Sequence, residues 1–395
     1  MDNQPDDVVI VGAARTPNGR LKGGLASLSA PELGAIAIRA AVERAGVDPG
    51  EVDLVVMGNV LQAGLGQCPA RQAAIGAGLP WSTVCTTVNK VCLSGLAAIV
   101  DAARAIRLGE ALVAVAGGME SMTNAPHLLP KSRFGYSFGD VVAIDSMTYD
   151  GLSDAWSHES MGLDTDKRTA TYPVTREDQD AFAARSHQLA AQAWDSGVFA
   201  DEIVPVTIQD RKQTRVVDRD EGIRPDSTTE SLARLRPAFR PEGSITAGNA
   251  SQLNDAGAAV VLTTRAHAEE KGWPVLATLR AAGQVAGPDA ALAPQPANAI
   301  TAALAKQGWT VADLDFAEIN EAFAAVSVYA ARQLGIDEDR VNIHGGGIAL
   351  GHPIGQSGAR LVVHAAHELH RRGTGRAVVA LCGGTGQGDA LLLEA

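Results

Sequence analysis

Ile38-Arg-Ala-Ala-Val-Glu-Arg-Ala-Gly46 and Ile300-Thr-Ala-Ala-Leu-Ala-Lys-Gln-Gly308 are one phrase written twice in the same chain. Each carries apolar residues at helical spacing and stops at a glycine, the residue that closes helices in the left-handed conformation. At equal spacing each then reaches an aspartate, Asp53 or Asp315, that opens an apolar run. Around the first copy the periodicity predicts a strand over 7–11 ending in Gly12, a helix over 33–45 and a strand over 52–57. A helix over 96–108 then stops at Gly109, and a buried strand over 111–116 ends in Gly117-Gly118. Around the second copy it predicts a helix over 359–369 and a strand over 377–381 running into Gly383-Gly384. A duplicated α/β unit of this kind sets two helix mouths face to face across a pseudo-twofold axis, with active groups from both halves meeting between them. Two long copies are not a solenoid.

The chain has 395 residues, 46% of them apolar and 20% charged, enough to bury a large core in at least two domains. Aromatics are only 4% while Ala, Val and Gly abound, which suits helices packed tightly on a sheet. A formal charge of -12 disfavours nucleic acid and anionic membranes as general partners, although a small anion can still bind locally. Cys68, Cys85, Cys92 and Cys382 form no CxxC pair, and no secretory leader pattern opens the chain, so a reducing cytoplasm is expected. No apolar run approaches the roughly 18 to 20 residues needed to span a bilayer.

Three reactive side chains stand out because each sits among glycines beside an apolar segment, where backbone can approach a ligand closely. Cys92 lies in Val-Asn-Lys-Val-Cys-Leu-Ser-Gly, where the strand-like run 84–91 gives way to a helix. A thiol at a helix mouth feels unpaired amides and the positive dipole end, which favour thiolate. His352 lies in Gly-His-Pro-Ile-Gly ahead of the second copy's helix, where the first copy offers Cys92, and Cys382 lies in Cys-Gly-Gly-Thr-Gly-Gln-Gly. Burial as packing is the ordinary fate of a single cysteine, but three such sites argue for chemistry. A metal at His352 is disfavoured, because His364, His367 and His370 fall on a helix at spacings of three without an HExxH order; those three are expected to face solvent.

Residues 122–252 change character, with an irregular stretch around Pro126 to Gly139 and then an amphipathic helix from Arg176 to Trp194 opened by Thr175. An inserted, mostly helical lobe is expected there.

Gly-Asn-Val-Leu-Gln-Ala-Gly-Leu-Gly-Gln (58–67), Asn-Lys-Val-Cys (89–92), Gly-Gly-Met-Glu-Ser-Met (117–122), Thr-Ala-Gly-Asn-Ala-Ser (246–251), Asn-Glu-Ala-Phe-Ala (320–324) and Gly-His-Pro-Ile-Gly (351–355) together resemble the thiolase family, end to end and in order. The resemblance implies a five-layered α-β-α-β-α fold. It divides the chain into an N-terminal half over 1–121 completed by 253–275, an inserted loop domain over 122–252 that carries coenzyme A, and a C-terminal half over 276–395. It also implies a homodimer or homotetramer and two-step acyl transfer on a CoA thioester, with coenzyme A as substrate and no prosthetic group. Carried over by motif, Cys92 is the acyl-accepting nucleophile, His352 its base, and Cys382 the acid/base at the substrate α-carbon. Asn320 holds a water for the thioester oxygen beside His352. The amides of Cys92 and Gly384 form a second oxyanion hole.

Coenzyme A is polyanionic, so an acidic protein needs a local basic patch; Arg211, Lys212, Arg215, Arg219 and Arg224, followed by Arg234 and Arg236, supply one in the inserted lobe. By the same resemblance Arg224, Ser231 and Leu235 contact the nucleotide, and Ser251 bonds the pantetheine amide near Ala247 and Ala250. Met161, Phe239 and Phe323 wall the acyl pocket.

The chain departs from the family's usual pattern at Ser160, where biosynthetic members carry His before Met-Gly, and at Leu93, Gln252 and the terminal Gly-Gly-Thr-Gly. The expected activity is an acetyl-CoA acetyltransferase, joining two acetyl-CoA into acetoacetyl-CoA and running the thiolysis in reverse. The rivals are a degradative 3-ketoacyl-CoA thiolase on longer chains and, from another class, a non-catalytic acyl-CoA or lipid-binding protein that kept the fold. Asn320 and Cys382 argue against a β-ketoacyl synthase, and Gly12-Ala-Ala-Arg gives no dinucleotide fingerprint.

Overall fold

The computed structural model describes residues 4–209 and 213–395; Arg211 and Lys212 of the basic run lie outside the described residues. The first half comprises β1 (Val8–Arg15), α1 (Ala30–Ala45), β2 (Leu54–Gly58), α2 (Pro69–Ala77), β3 (Val84–Val88), α3 (Ser94–Arg107) and β4 (Ala114–Ser121). The inserted lobe includes α4 (Met161–Lys167) and α5 (Arg176–Asp195). There follow β5 (Asn254–Thr264), β6 (Ala277–Ala286), α6 (Gln295–Gln307), β7 (Phe316–Ile319), α7 (Ala324–Leu334), α8 (Ser357–Arg372), β8 (Arg376–Gly383) and β9 (Gln387–Glu394).

The strands run in the order β7-β8-β9-β6-β1-β5-β4-β2-β3. Reading outward from the β6–β1 seam gives β1-β5-β4-β2 on one side and β6-β9-β8-β7 on the other, so the repeat in sequence is a repeat in topology. The seam itself is short, with Val9 opposite Thr278 and Ile10 opposite Ala277. The repeated aspartates do the same job twice. Asp53 Oδ2 accepts the amides of Leu112 and Val113 at 2.8 and 3.1 Å, and Asp315 Oδ2 accepts the amide of Arg376 at 2.7 Å, each tying the start of one parallel strand to its neighbour.

Helices α3 and α8 lie buried between the two halves and share one core with strand residues of both, including Val260, Leu262, Val379 and Leu391. Helices α1 and α2 cover the outer face of the first half, and α6 and α7 that of the second. This is the five-layered α-β-α-β-α arrangement. Small residues allow it. A Cβ on Gly95 of α3 would stand 2.8 Å from the amide nitrogen of Ala359, and one on Gly358 of α8 would stand 2.5 Å from that of Leu96. The two helices therefore cross backbone against backbone.

Three expectations need correction. Strand β1 does not end at Gly12 but runs through it with a bulge; the glycine is there because a Cβ would meet the carbonyl oxygen of Ala41 in α1 at 2.4 Å. Likewise β4 continues through Gly117-Gly118 to Ser121, since a Cβ on Gly118 would stand 2.1 Å from the carbonyl oxygen of Gly355 in the loop after His352. The helix histidines do not all face solvent. His364 is fully buried, bonded to Glu202 at 2.9 Å and to His344 at 3.1 Å, and His367 reaches the carbonyl of Ala13; only His370 is exposed. A charged interior needs them, because Arg15, Glu202 and Asp220 are paired there at 2.7 to 2.8 Å out of reach of water.

In the inserted lobe α5 starts as expected, with Thr175 accepting the amide of Asp178 at 3.1 Å. The irregular segment before α4 exposes Phe134, Tyr136 and Phe138. No helix among the described residues is long and apolar enough to cross a membrane.

The contact at Gly118 joins a central strand to the histidine loop, so Gly118→Ala should lower stability by about 1–3 kcal/mol through overpacking. Urea unfolding would measure it, and an unchanged midpoint would show that the approach has slack.

Candidate active site

Strand β3 ends at Val88 and the chain turns through Asn89, Lys90 and Val91 before α3 begins at Ser94. Val91 sits at φ +50, a left-handed conformation that a β-branched residue adopts only under constraint, at a cost of about 1–3 kcal/mol. The constraint is visible. Val91 donates its amide to Asn89 Oδ1 at 3.1 Å, the Ser94 hydroxyl donates to the Val91 carbonyl at 2.6 Å and accepts the Lys90 amide at 2.8 Å. Lys90 Nζ pairs with buried Asp389 of β9 at 2.7 Å, pinning this turn to the second half. Cys92 leaves the turn half-buried, packed beside Val60, Leu61 and Ile354.

His352 does not occupy the position equivalent to Cys92, as the repeat suggested. It stands five residues ahead of the first residue of α8, whereas Cys92 stands two ahead of the first residue of α3. The longer lead lets the imidazole fold back over the helix start. Its backbone amide donates to Asn254 Oδ1 at 3.0 Å, and its Nδ1 lies 2.5 Å from the Ser357 hydroxyl. Asn320, just after β7, lies with its side-chain amide 3.4 Å from Nε2 and 3.5 Å from Nδ1, over the ring edge between them, and its own Oδ1 is buried without a protein partner.

Buried Glu120 joins the two loops. Its carboxyl accepts Asn59 Nδ2 at 2.8 Å, the amides of Val60 and Leu61 at 3.1 Å, and the amide of Gly355 at 2.9 Å from the histidine loop. Burial pushes its pKa up to about 7 despite those donors.

Cys382, buried near the end of β8, packs with Leu292, Ala322 and Val326 beneath Met161 and Phe323. Burial raises the Cys382 thiol far above its ordinary range, and Cys92 nearby raises it further. Cys92 is itself pushed up to about 11 by burial, against the amides of Gly384 and of Cys92 itself, which donate toward its sulfur. The helix-mouth expectation of a resting thiolate is therefore reversed, because loss of hydration outweighs two oriented amides. Burial and then the positive charge of Arg360 lower His352 to about 4. The resting groups are a neutral imidazole and two neutral thiols.

A cleft of about 550 Å³ is lined by Val60, Asn89, Val91, Tyr149, His158, Met161 and Gly384; it reaches this constellation through Gly384, and Cys92, His352, Cys382 and Asn320 are not themselves on its wall. Of the expected wall, Phe239 meets Phe323 edge to face at 6.2 Å and leaves no room for a side chain at Gly162. Ala250 bridges to Phe323, and Ser251 donates its amide to Ala322 at 3.0 Å, so these residues gather beside Cys382. Arg224, Ser231, Leu235 and Ala247 sit apart on the lobe's surface and do not line the cleft. The Ser231 hydroxyl caps the short helix Thr229–Ala233, and Leu235 packs at Gly248. Among the described residues of the basic run, Arg215 donates to the Gly24 carbonyl and Arg219 lies over the Trp194 ring, so these two are engaged by the protein itself.

Ser160, where the family's histidine is missing, caps α4 by accepting the Leu163 amide at 3.3 Å. An imidazole reaches the cleft instead from His158, stacked on Tyr149 with ring centroids 5.8 Å apart. The sequence reading missed His158, and it missed Thr385, which lines the cleft at φ +72 with Gln387 Nε2 donating to its hydroxyl at 2.9 Å. A β-branched residue between glycines was the available signal for the second; for the first there was none.

Residues 8–266 match the thiolase N-terminal domain family and residues 273–395 the thiolase C-terminal domain family. A probable acetyl-CoA acetyltransferase of Mycolicibacterium smegmatis is 56% identical over 387 residues, covering 98% of this chain and 100% of that protein. An acetyl-CoA acetyltransferase of Pseudomonas aeruginosa is 50% identical over 388 residues, covering 98% and 99%. The crystal structure of the Bacillus anthracis acetyl-CoA acetyltransferase superposes over 100% of both chains with a TM-score of 0.95 and 41% identity.

Alkylation of Cys92 by iodoacetamide, followed peptide by peptide, should accelerate about tenfold per pH unit from pH 7 toward pH 10, as the thiolate fraction grows. A rate already level at pH 7 would mean the thiol is ionised at rest.

Proposed function

Because the chain belongs to the thiolase family and is an acyltransferase, we propose that it joins two acetyl-CoA into acetoacetyl-CoA and free CoA, and runs the thiolysis in reverse, through an acyl group carried on Cys92. The reading rests above all on Cys92 lying within reach of both the Gly384 amide and Cys382, with Gly384 on the wall of the cleft, and on His352, in contact with Asn320, sharing a loop with the Ile354 that packs on Cys92. The non-catalytic carrier falls away, since the chain is an acyltransferase.

In the first step His352 takes the Cys92 proton, the sulfur attacks the thioester carbon, and the carbonyl oxygen gathers charge at the amides of Cys92 and Gly384. The carbon–sulfur bond to CoA breaks. Cys382, a thiol at rest because burial forbids its charge, gives its proton to the departing CoA sulfur. The site then holds an imidazolium and a thiolate, which balance each other. That thiolate removes the α-proton of a second acetyl-CoA, whose thioester oxygen is held as an enolate by His352 and a water on Asn320. The enolate carbon attacks the acyl carbon on Cys92, the carbon–sulfur bond there breaks, and Cys92 recovers its proton from His352. Every group ends as it began.

Coenzyme A is a substrate in this scheme, and no prosthetic group is required. The proposal places its nucleotide along the inserted lobe by Arg224, Ser231 and Leu235, with Ser251 on the pantetheine arm. A homodimer or homotetramer is supported by the exposed Phe134 and Phe138 of the lobe and by Trp81 and Val84 beside the sheet edge. A cytoplasmic setting fits four free cysteines. Thiolysis of longer 3-ketoacyl-CoA is the second reading, favoured by Ser160 standing where the family's histidine is usual, next to Met161 of the cleft.

Radiolabelled acetyl-CoA should acylate the protein, and Cys92→Ala should abolish the label; undiminished labelling would sink the nucleophile assignment. Cys382→Ser should slow condensation by about 10²–10⁴-fold, the range of a lost proton-transfer group. Comparing thiolysis of acetoacetyl-CoA with that of a medium-chain 3-ketoacyl-CoA decides between the two readings, with equal or better medium-chain kcat/KM favouring the second.

A further inference from the structure

We propose that Ser357 sets the proton arrangement of His352, holding hydrogen on Nδ1 so that Nε2 presents a bare lone pair to receive the Cys92 proton. The inference rests on the reading of His352 as the base and adds to it the residue that makes the imidazole a base at the right atom.

Ser357 Oγ lies 2.5 Å from His352 Nδ1 and 2.9 Å from the carbonyl oxygen of Pro353. At such separations a hydrogen must lie between the heavy atoms, because lone pairs facing each other there repel. Two contacts need two hydrogens, and a hydroxyl owns one. A carbonyl has none to give, so the hydroxyl hydrogen points to Pro353, four residues back, a common geometry for serine at a helix start. The hydrogen in the shorter contact must then belong to Nδ1. A neutral imidazole has a single N–H, which leaves Nε2 as the acceptor. The Asn320 side-chain amide lies 3.4 Å from Nε2 and 3.5 Å from Nδ1, so it takes no side between the two nitrogens and the assignment stands on Ser357.

The fold fixes these distances. Ser357 is the first residue of α8 and fully buried. The Pro353 carbonyl also takes the amides of Gln356 and Ser357 at 3.0 Å, which anchors the turn. Gly358 follows at the crossing with α3, so the hydroxyl cannot drift without moving the helix contact. When His352 receives the proton, the Nδ1–H bond to Ser357 is already made and needs no reorganisation. Ser357 touches neither substrate nor reacting atoms and is a positioning residue.

The test compares wild type, Ser357→Ala, Ser357→Thr and His352→Gln in the full-length enzyme. Single-turnover acylation of Cys92 from acetyl-CoA gives the rate, and ¹⁵N NMR of histidine-labelled protein gives the tautomer, with the His352 signals assigned by their loss in H352Q. Wild type should show hydrogen on Nδ1 and a bare Nε2. Ser357→Ala should move His352 toward the Nε2–H form and acylate about 10–100-fold more slowly, the usual loss for an orienting partner. Ser357→Thr, which keeps the hydroxyl, should restore both. A wild-type rate or an unchanged Nδ1–H signature in Ser357→Ala overturns the proposal. If His352→Gln itself acylates at the wild-type rate, the base assignment fails instead, and the two failures are distinct.

Discussion

The site exists because two buried helices touch without side chains between them. Gly95 and Gly358 let α3 and α8 cross at their first turns, and Gly118 lets the end of β4 lie against the Gly355 carbonyl. Cys92 and His352 hang on those helix starts, from opposite halves of the chain. A Cβ at any of these glycines would meet backbone at 2.1 to 2.8 Å, and backbone cannot rotate aside as a side chain can. Glu120 then locks what the glycines permit, gathering donors from the loop after β2 and from the histidine loop onto one carboxyl. Such an arrangement is costly to leave half-made, since a buried carboxyl without its donors would be unsatisfied.

Dryness has an electrostatic consequence that runs against simple activation. Burial holds both thiols and the imidazole in their neutral forms, so none of these three groups carries charge at rest. In the proposed acyl transfer, charge appears only as protons move between partners already in place, and it appears in opposite pairs. A pre-formed thiolate would face solvation loss at rest; a thiol beside a bare imidazole nitrogen meets that loss only when the acyl carbon is there to take the electrons. The strained Val91 and the Lys90–Asp389 pair keep Cys92 in register for that moment.

Departures from the family's pattern acquire local reasons. Ser160 serves as a helix cap where an imidazole is usual, and His158 brings an imidazole to the same cleft from two residues earlier. Thr385 keeps a left-handed conformation that glycine would hold freely, and its side chain lines the cleft. His158 and Thr385 line the cleft, whereas Ser160 does not.

The sequence by itself determined the duplication, most helix ends, the aspartates that start the paired strands and the three reactive side chains, because these depend on local period, caps and glycine. It misplaced the ends of β1 and β4, since Gly12, Gly117 and Gly118 stop nothing locally and are read correctly only against α1, β5 and the histidine loop. It gave Cys92 a resting charge, because a helix mouth is visible in sequence and the burial around it is not. It sent His364 to solvent, because a helical spacing does not reveal Glu202 across the core. Tertiary structure alone decided those points, along with Ser357, Glu120 and His158, for one physical reason: close approach, desolvation and hydrogen-bond pairing are properties of neighbours in space, and in this fold the decisive neighbours lie in opposite copies of the repeat.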